Sequence, residues 1–307
     1  MIPSRRVGER TVAAIGLGGA RIALSPRIPD ERSAIGMVHA ALGAGVTLLD
    51  TADVYSPHLG AGYSESVFGR AVRTWAGRRD DVLIATKGGK YWGPDGRVRV
   101  DGRPEYLIRA CEASLRALGT ETIDLYQFHE PDRAVPYEES IGALTSLRAA
   151  GKIQQIGLSN VGVDLIRRAV ALTPVASVQN RLGPGHRDGG SEIGLCAGLG
   201  LAFLAWGPLG GLRRGADGTG GADGAFRAGC EPFARVGRRH GVSAERVAIA
   251  WELSLSPAVI PIPGATRPET ILDSLRAADL VLDPGDLEIL GGVTAGTASS
   301  GAGERNR

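Results

Sequence analysis

Asp50, Lys87 and His129 each close a short apolar run, VTLLD, LIATK and IDLYQFH, and Tyr55 follows Asp50 by five residues. Together these four side chains could move a proton on and off an oxygen atom. A tyrosine hydroxyl titrates near pH 10, at about three units above neutrality, and is a weak acid by itself. A neighbouring ammonium stabilises the phenolate and lowers that value. Lys87 is expected to act in this way, with Asp50 keeping Lys87 charged and in place. His129 would hydrogen-bond a substrate oxygen and orient it. The chemistry is general acid–base catalysis on a carbonyl or an alcohol. No side chain of the set can supply an electron pair as hydride, so a hydride-carrying cofactor is implied.

The elements that must position these residues are short apolar runs alternating with helical patterns. Strands are predicted at 13–18, 46–50, 82–86, 123–128, 153–158, 175–179, 201–205 and 258–262. Helix signals are strongest over 104–118, where Pro104 opens the segment, Leu107, Cys111, Leu115 and Leu118 repeat at helical spacing, and Gly119 stops it. Further helices are expected over 33–43, over 139–149 and from Pro268. SRRVGERTV, before the first strand, reads as a hairpin turning at Gly8. Eight strands alternating with helices imply a parallel sheet, and runs apolar at nearly every position imply burial on both faces. An open doubly wound sheet and a closed barrel both meet that description. The strands share one more property: polar groups gather at their C-terminal ends, with Ser159 and Asn160 after IQQIGL and Gln179 and Asn180 after ASV. A (β/α)8 barrel brings those ends onto one rim, where its chemistry lies.

Bulk properties narrow the class. The chain has 307 residues, 43% hydrophobic and 22% charged, as in an ordinary globular protein of one α/β barrel. A net charge of +2, spread along the chain, argues against nucleic acid or an anionic membrane as partner. There is no apolar run long enough to span a bilayer and no signal-peptide pattern at the start. Cys111, Cys196 and Cys230 have neither metal-ligand nor disulfide spacing, which fits a reducing cytoplasm as the expected location. No metal site is expected. A single barrel domain is expected over 1–291, with 292–307 a disordered tail and the glycine-rich 207–229 a mobile loop.

Seven fragments, DTADVYS with GYSESVFGRAV, ATKGG, YQFHEPD, GLSN, VQN, WGPLGG and PIPGATRPE, stand in an order and spacing that resemble the aldo-keto reductase family over about residues 4–290. The resemblance implies a single (β/α)8 TIM barrel with a short N-terminal hairpin and extra C-terminal helices. It implies NADP(H) bound without a Rossmann domain, with NAD(H) as the alternative, and a small carbonyl or alcohol substrate. The catalytic tetrad would be Asp50, Tyr55, Lys87 and His129, with Tyr55 the proton donor in reduction. Ser159, Asn160 and Gln179 match positions that hold the nicotinamide carboxamide, and Trp206 matches the aromatic that stacks on its ring. Gly207, Pro208, Leu209 and Gly211 match the loop beside the pyrophosphate. Gly264, Ala265 and Thr266 match the start of the adenosine-phosphate site, with Arg267 beside it for a 2′-phosphate. Gly19, Ala20 and Asp50 are assigned to the cofactor as well. A second reading is a regulatory or channel-associated module that binds NADPH with little turnover; a third is a barrel lyase or isomerase.

Some positions depart from the family. Thr270 stands where Arg or Gln is usual, and the usual ending of Asp or Glu followed by Asn is here Asp273 and Ser274, so the adenosine site is altered; Arg213 and Arg214 in the glycine-rich loop are positioned to compensate. IGLGGAR, residues 15–21, begins like a dinucleotide fingerprint but has Arg21 in place of the last glycine, and no helix signal follows. Trp92 and His58 are expected to wall the substrate, while His39, His186, His240 and Tyr63 read as packing, loop or helix-end residues. Trp75 and Trp251 are expected in the core. The loops that face the substrate mix Arg, Asp, Tyr and Trp with many glycines, which favours a polar, hydroxylated ligand. Its identity, the direction of reaction and the oligomeric state are not written in the sequence.

Overall fold

The computed structural model describes residues 2–24, 30–55, 59–210 and 224–292, with 224–229 described by backbone alone. Eight parallel strands follow one another in chain order around a sheet: β3 (Leu17–Gly18), β4 (Leu48–Asp50), β5 (Leu83–Gly88), β8 (Ile123–Phe128), β9 (Ile153–Ser159), β10 (Ser177–Arg181), β11 (Ala202–Trp206) and β12 (Val259–Pro261). Backbone bonds then join the last strand to the first. Gly16 N donates to Pro261 O at 2.9 Å, Gly18 N donates to Pro263 O at 3.0 Å, and Gly18 bridges Gly264 in parallel. The sheet is therefore a closed barrel and not an open doubly wound sheet. The eight predicted strands are all present. The first is shorter than predicted: of 13–18 only 17–18 joins the barrel, because Ala13 belongs to the preceding hairpin and the approach through Ala14 to Gly16 bonds irregularly.

Two hairpins decorate the barrel. β1 (Ser4–Val7) and β2 (Arg10–Ala13) form the predicted antiparallel hairpin, turning through Gly8 in the left-handed region at φ +55°. Val7 and Val12 of that hairpin pack with the barrel's inward side chains and plug its N-terminal end. β6 (Lys90–Trp92) and β7 (Val98–Val100) make a second hairpin just beyond Lys87. Outside run α1 (Ala20–Leu24), α2 (Glu31–Gly43), α3 (Tyr63–Thr74), α4 (Pro104–Leu118), α5 (Tyr137–Ala149), α6 (Val163–Leu172), α7 (Gly190–Leu199), α8 (Gly224–His240), α9 (Ala244–Leu255), α10 (Pro268–Leu275) and α11 (Pro284–Leu290). The ends follow local chemistry. Asp30 and Ser243 cap α2 and α9 by accepting from the amides of Ser33 and Arg246. Pro104 opens α4, and Gly119 ends it in the left-handed conformation. Contrary to the sequence expectation, a helix does follow Gly19. It is the single turn α1, begun by Ile22 N bonding to Gly19 O at 3.0 Å, too short for periodicity to reveal.

Strand alternation divides the core in two. Leu48, Leu83, Ala85, Leu125, Ala202, Leu204 and Ile260 point into the barrel with the hairpin valines. Leu49, Ile84, Tyr126, Phe128, Ile156, Val178 and Phe203 point outward beneath the helices. Each strand thus sends every second residue inward. Two residues on from the inward Leu48, Ala85 and Leu125 come Asp50, Lys87 and Gln127, all buried. The barrel interior is apolar at the hairpin end and polar at the other.

The helices also carry the tryptophans expected in the core. Trp251 of α9 is buried and donates to Gly291 O at 2.8 Å, whereas Trp75 lies just past α3 and is half-buried. His39 Nε2 contacts Ala71 O at 2.8 Å, a packing role. Next to Trp251, Glu252 has no exposed surface, and among the described residues neither of its carboxyl oxygens has a hydrogen-bond partner. Burial alone pushes its pKa well above the ordinary carboxylate range. No helix of the described residues is long and apolar enough to cross a membrane.

Candidate active site

Lys87 is the centre of the polar end. Its Nζ donates to Asp50 Oδ2 at 2.7 Å, to Thr51 O at 2.8 Å and to Tyr55 Oη at 3.2 Å. Those three bonds use all the hydrogens of the ammonium. β4 and β5 are adjacent in the ladder, so the Asp50–Lys87 pair follows from neighbouring inward positions. Tyr55 comes from the loop after β4. That loop is held by Asp53 N on Lys87 O, Gly62 N on Asp53 O, and Trp92 Nε1 on Val54 O at 2.8 Å. His129, just past β8, sets its ring edge-on to Tyr55 with centroids 5.9 Å apart. The four residues predicted from three strand ends therefore share one site.

The electrostatics modify one expectation. Burial raises the Tyr55 pKa; Lys87 lowers it, Asp50 and Asp53 raise it, and the net value lies above that of a free phenol. The predicted lowering by Lys87 is real but is outweighed, since the ammonium is shared with Asp50 and little water reaches the phenolate. Burial works against the Lys87 ammonium too, yet Asp50 and Tyr55 outweigh it, and Lys87 stays charged. His129 shifts the other way. Burial, reinforced by Lys87 and Lys90, pulls its pKa well below the usual imidazole value, so the ring is neutral. Among the described residues its Nδ1 is buried without a partner.

Asp50 carries a network that the sequence reading missed. Its Oδ1 accepts from Gln127 Nε2 at 3.0 Å and from Gln179 Nε2 at 2.7 Å, and Gln179 Nε2 also meets Gln127 Oε1 at 3.2 Å. Gln127 lies on β8 midway between Leu125 and His129, the residue just past the strand, so period-two spacing was the signal for it. Asn160, in the left-handed region at φ 57°, donates to His129 O at 2.9 Å and to Ser159 Oγ at 3.1 Å. Behind Lys87 lies a second acidic pair, also missed. Glu65 accepts from Thr86 Oγ1 at 2.6 Å, Asp53 lies within its field, and burial raises both carboxyls, Asp53 strongly.

A cavity of about 360 Å³ opens over Asp50 and Tyr55, a volume typical of small-molecule sites. Ala20, Trp206, Gly207, Pro208, Leu209 and Gly264, all expected at the cofactor, line it. Gly18, Arg21, Gly210, Ile262 and Pro263 line it as well, unforeseen. Gly19 is buried beneath, its N–H on Asp50 O at 2.7 Å. Arg181, also unforeseen, lays its guanidinium 5.6 Å from the centre of the Trp206 ring. The cavity lining does not reach the far adenosine positions. Ala265 is buried in the core, Thr266 is half-buried, and Arg267 is exposed at the start of α10. Ser274 Oγ donates to Thr270 O at 3.0 Å within α10, and Asp273 pairs with Arg246 and accepts from Ser243 Oγ. His58, Gly211, Arg213 and Arg214 lie outside the described residues, as does the tail beyond 292. Among the described residues no cluster could hold a metal ion.

A parallel barrel with Asp, Tyr, Lys and His on its C-terminal rim, and a cleft running from them, defines a class. The Aldo/keto reductase family model matches residues 14–294. A probable aldo-keto reductase 1 from Glycine max is 33% identical over 293 residues, 88% of this chain and 82% of the relative. A glycerol dehydrogenase from Gluconobacter oxydans superposes with a TM-score of 0.81 at 26% identity, covering 94% of this chain and 93% of that one. An aldo-keto reductase from Klebsiella pneumoniae, solved in complex with NADPH, gives 0.73 at 25% identity and 94% of both chains. The chain belongs to the aldo/keto reductase family.

Proposed function

We propose that the protein is an NADP(H)-dependent oxidoreductase that interconverts a carbonyl and its alcohol, with Asp50, Tyr55, Lys87 and His129 as its proton-transfer set. The observation that carries the reading is Lys87 Nζ held between Asp50 Oδ2 at 2.7 Å and Tyr55 Oη at 3.2 Å. Residues 1–291 act as one barrel domain, and its location is the cytoplasm.

The site suits the cofactor. The cavity is walled by the flat indole of Trp206 and by glycine backbone, and Arg21 is the one cation in its described lining. Asp50 brings no free charge, because Lys87 neutralises it. A planar amide-bearing ring with anionic phosphates matches that combination of aromatic, neutral and cationic surface. NADPH bound to the Klebsiella relative supports the same choice. When bound, the nicotinamide supplies hydride to the carbonyl carbon. The residues handle the oxygen. Neutral His129 can donate a ring N–H to a carbonyl oxygen without introducing a charge. Tyr55 Oη, protonated at neutral pH, gives its proton to that oxygen as negative charge develops. Lys87 stabilises the resulting phenolate, and Asp50 keeps Lys87 cationic in a dry site. In the alcohol-oxidising direction the same phenolate takes the proton back.

The substrate is proposed to be a polar, hydroxylated carbonyl compound or its alcohol. Support comes from the polar loops and from the glycerol dehydrogenase among the similar structures. The test is Tyr55→Phe. Turnover on a carbonyl panel should be lost while NADPH still binds, as read by tryptophan quenching. Turnover like that of the parent protein would refute the assignment. Hydrophobic ketones outrunning hydroxy-aldehydes on the panel would overturn the substrate class alone.

A further inference from the structure

We infer that Gln127 is a positioning residue: with Asp50 it occupies both N–H bonds of Gln179 and leaves the Gln179 carbonyl oxygen as the end with which that side chain binds the cofactor's carboxamide. The inference rests on the NADP(H) reading above. It begins with Asp50. A carboxylate oxygen only accepts hydrogen bonds, so the ends of Gln127 and Gln179 that approach Asp50 Oδ1 must be their NH2 groups. That choice turns Gln127 Oε1 toward Gln179, where it meets Nε2 at 3.2 Å. An amide nitrogen has two hydrogens. Gln179 spends one on Asp50 and one on Gln127, and only its acceptor end remains. Both glutamines are within 1% of full burial, so water cannot substitute for either partner. Gly157 on the adjacent strand makes the room: a Cβ there would stand 2.7 Å from Gln127 Cγ.

The site should therefore recognise a donor on the nicotinamide ring. The carboxamide NH2 is such a donor. The acetyl group of 3-acetylpyridine adenine dinucleotide phosphate has the same shape and a carbonyl but no N–H. Without Gln127, the second Gln179 N–H loses its partner, and the side chain is held by Asp50 through one bond alone, so its acceptor end is no longer fixed toward the carboxamide.

The experiment measures dissociation constants of NADP+ and of its acetylpyridine analogue by tryptophan quenching, for the parent protein, for Gln127→Met and for Gln127→Asn. Met keeps the side-chain length without polar atoms; Asn withdraws the amide by one methylene. The parent protein should bind NADP+ about three- to tenfold more tightly than the analogue, the range for one hydrogen bond. Either variant should narrow that gap to less than about twofold, mainly by weakening NADP+. Equal affinities in the parent protein, or an unchanged gap in a variant that melts cooperatively, overturn the inference. Failure of the parent protein to bind NADP+ at all instead removes the cofactor reading on which it rests.

Discussion

Glu252 allows the energetics to be tested away from the reacting groups. Replacing it by Gln removes one titrating group from a fully buried position without changing the side-chain shape. In the unfolded chain this carboxyl ionises at about pH 4.3. In the folded protein, burial without a partner keeps it protonated to much higher pH. Folding must therefore take up a proton once the pH exceeds the unfolded value, and the native protein loses stability as pH rises toward the folded pKa. The Gln variant has no such loss. Below about pH 4 the stability difference between the two proteins is constant, set by amide against acid. Above it the variant gains about 1.4 kcal/mol per pH unit relative to the parent, until the folded pKa is passed. Each pH unit between the unfolded and the folded value thus amounts to about 1.4 kcal/mol, or roughly 3–6 °C in melting temperature. Urea denaturation of both proteins at several pH values reads the difference directly, and effects of other groups cancel. A difference that does not change from pH 5 to pH 7 would mean that Glu252 ionises normally when folded, and the reasoning from burial would be wrong.

Three further outcomes are expected. His129 is neutral because burial and Lys87 depress its pKa, so kcat/KM should show no acid limb from this residue between about pH 5.5 and 8; a limb near pH 6.5 that disappears in His129→Asn would contradict that. Asp50→Asn leaves the buried Lys87 ammonium without its counter-charge and should cost about 3–5 kcal/mol of stability in denaturant titrations, together with at least about a hundredfold in turnover. Gly18→Ala drives a Cβ to 2.7 Å from Ile262 O across the barrel seam and should cost several kcal/mol, whereas Gly142→Ala, on the exposed face of α5 with nothing within 4 Å, should not destabilise the protein in thermal melting.

The fold was legible because each barrel strand is an apolar run of its own and the helices carry their own end signals. Pro104 with Gly119 is one such pair, and it bounds α4 to the residue. The rim was legible because Asp50, Lys87 and His129 end such runs. Two kinds of residue escaped. Gln127 sits inside its strand, flanked by apolar neighbours, and only inward–outward alternation distinguishes it from Tyr126. Arg21 reaches the cavity from the single-turn helix α1 and Arg181 reaches its aromatic wall from the last residue of β10, positions that no periodicity singles out. The pKa of Tyr55 escaped for another reason. Sequence names the charges near a phenol, but the extent of desolvation and the sharing of one ammonium between two partners are properties of the packed site.

The seam between Gly16–Gly18 and Pro261–Gly264 also bears on the order in which the molecule is made. Its two sides are almost the whole chain apart, and loop closure over such a separation comes late in folding. Asp50, Lys87 and Gln127 come from three strands that are neighbours in the ladder, so the proton-handling half can assemble on a growing chain while the ribosome still holds the rest. The cavity floor cannot, because Gly18 and Gly264 line it from opposite sides of the seam. A ligand in that cavity binds only molecules whose first and last strands have met. By mass action, a ligand seated there holds the closed ring against local opening of its seam.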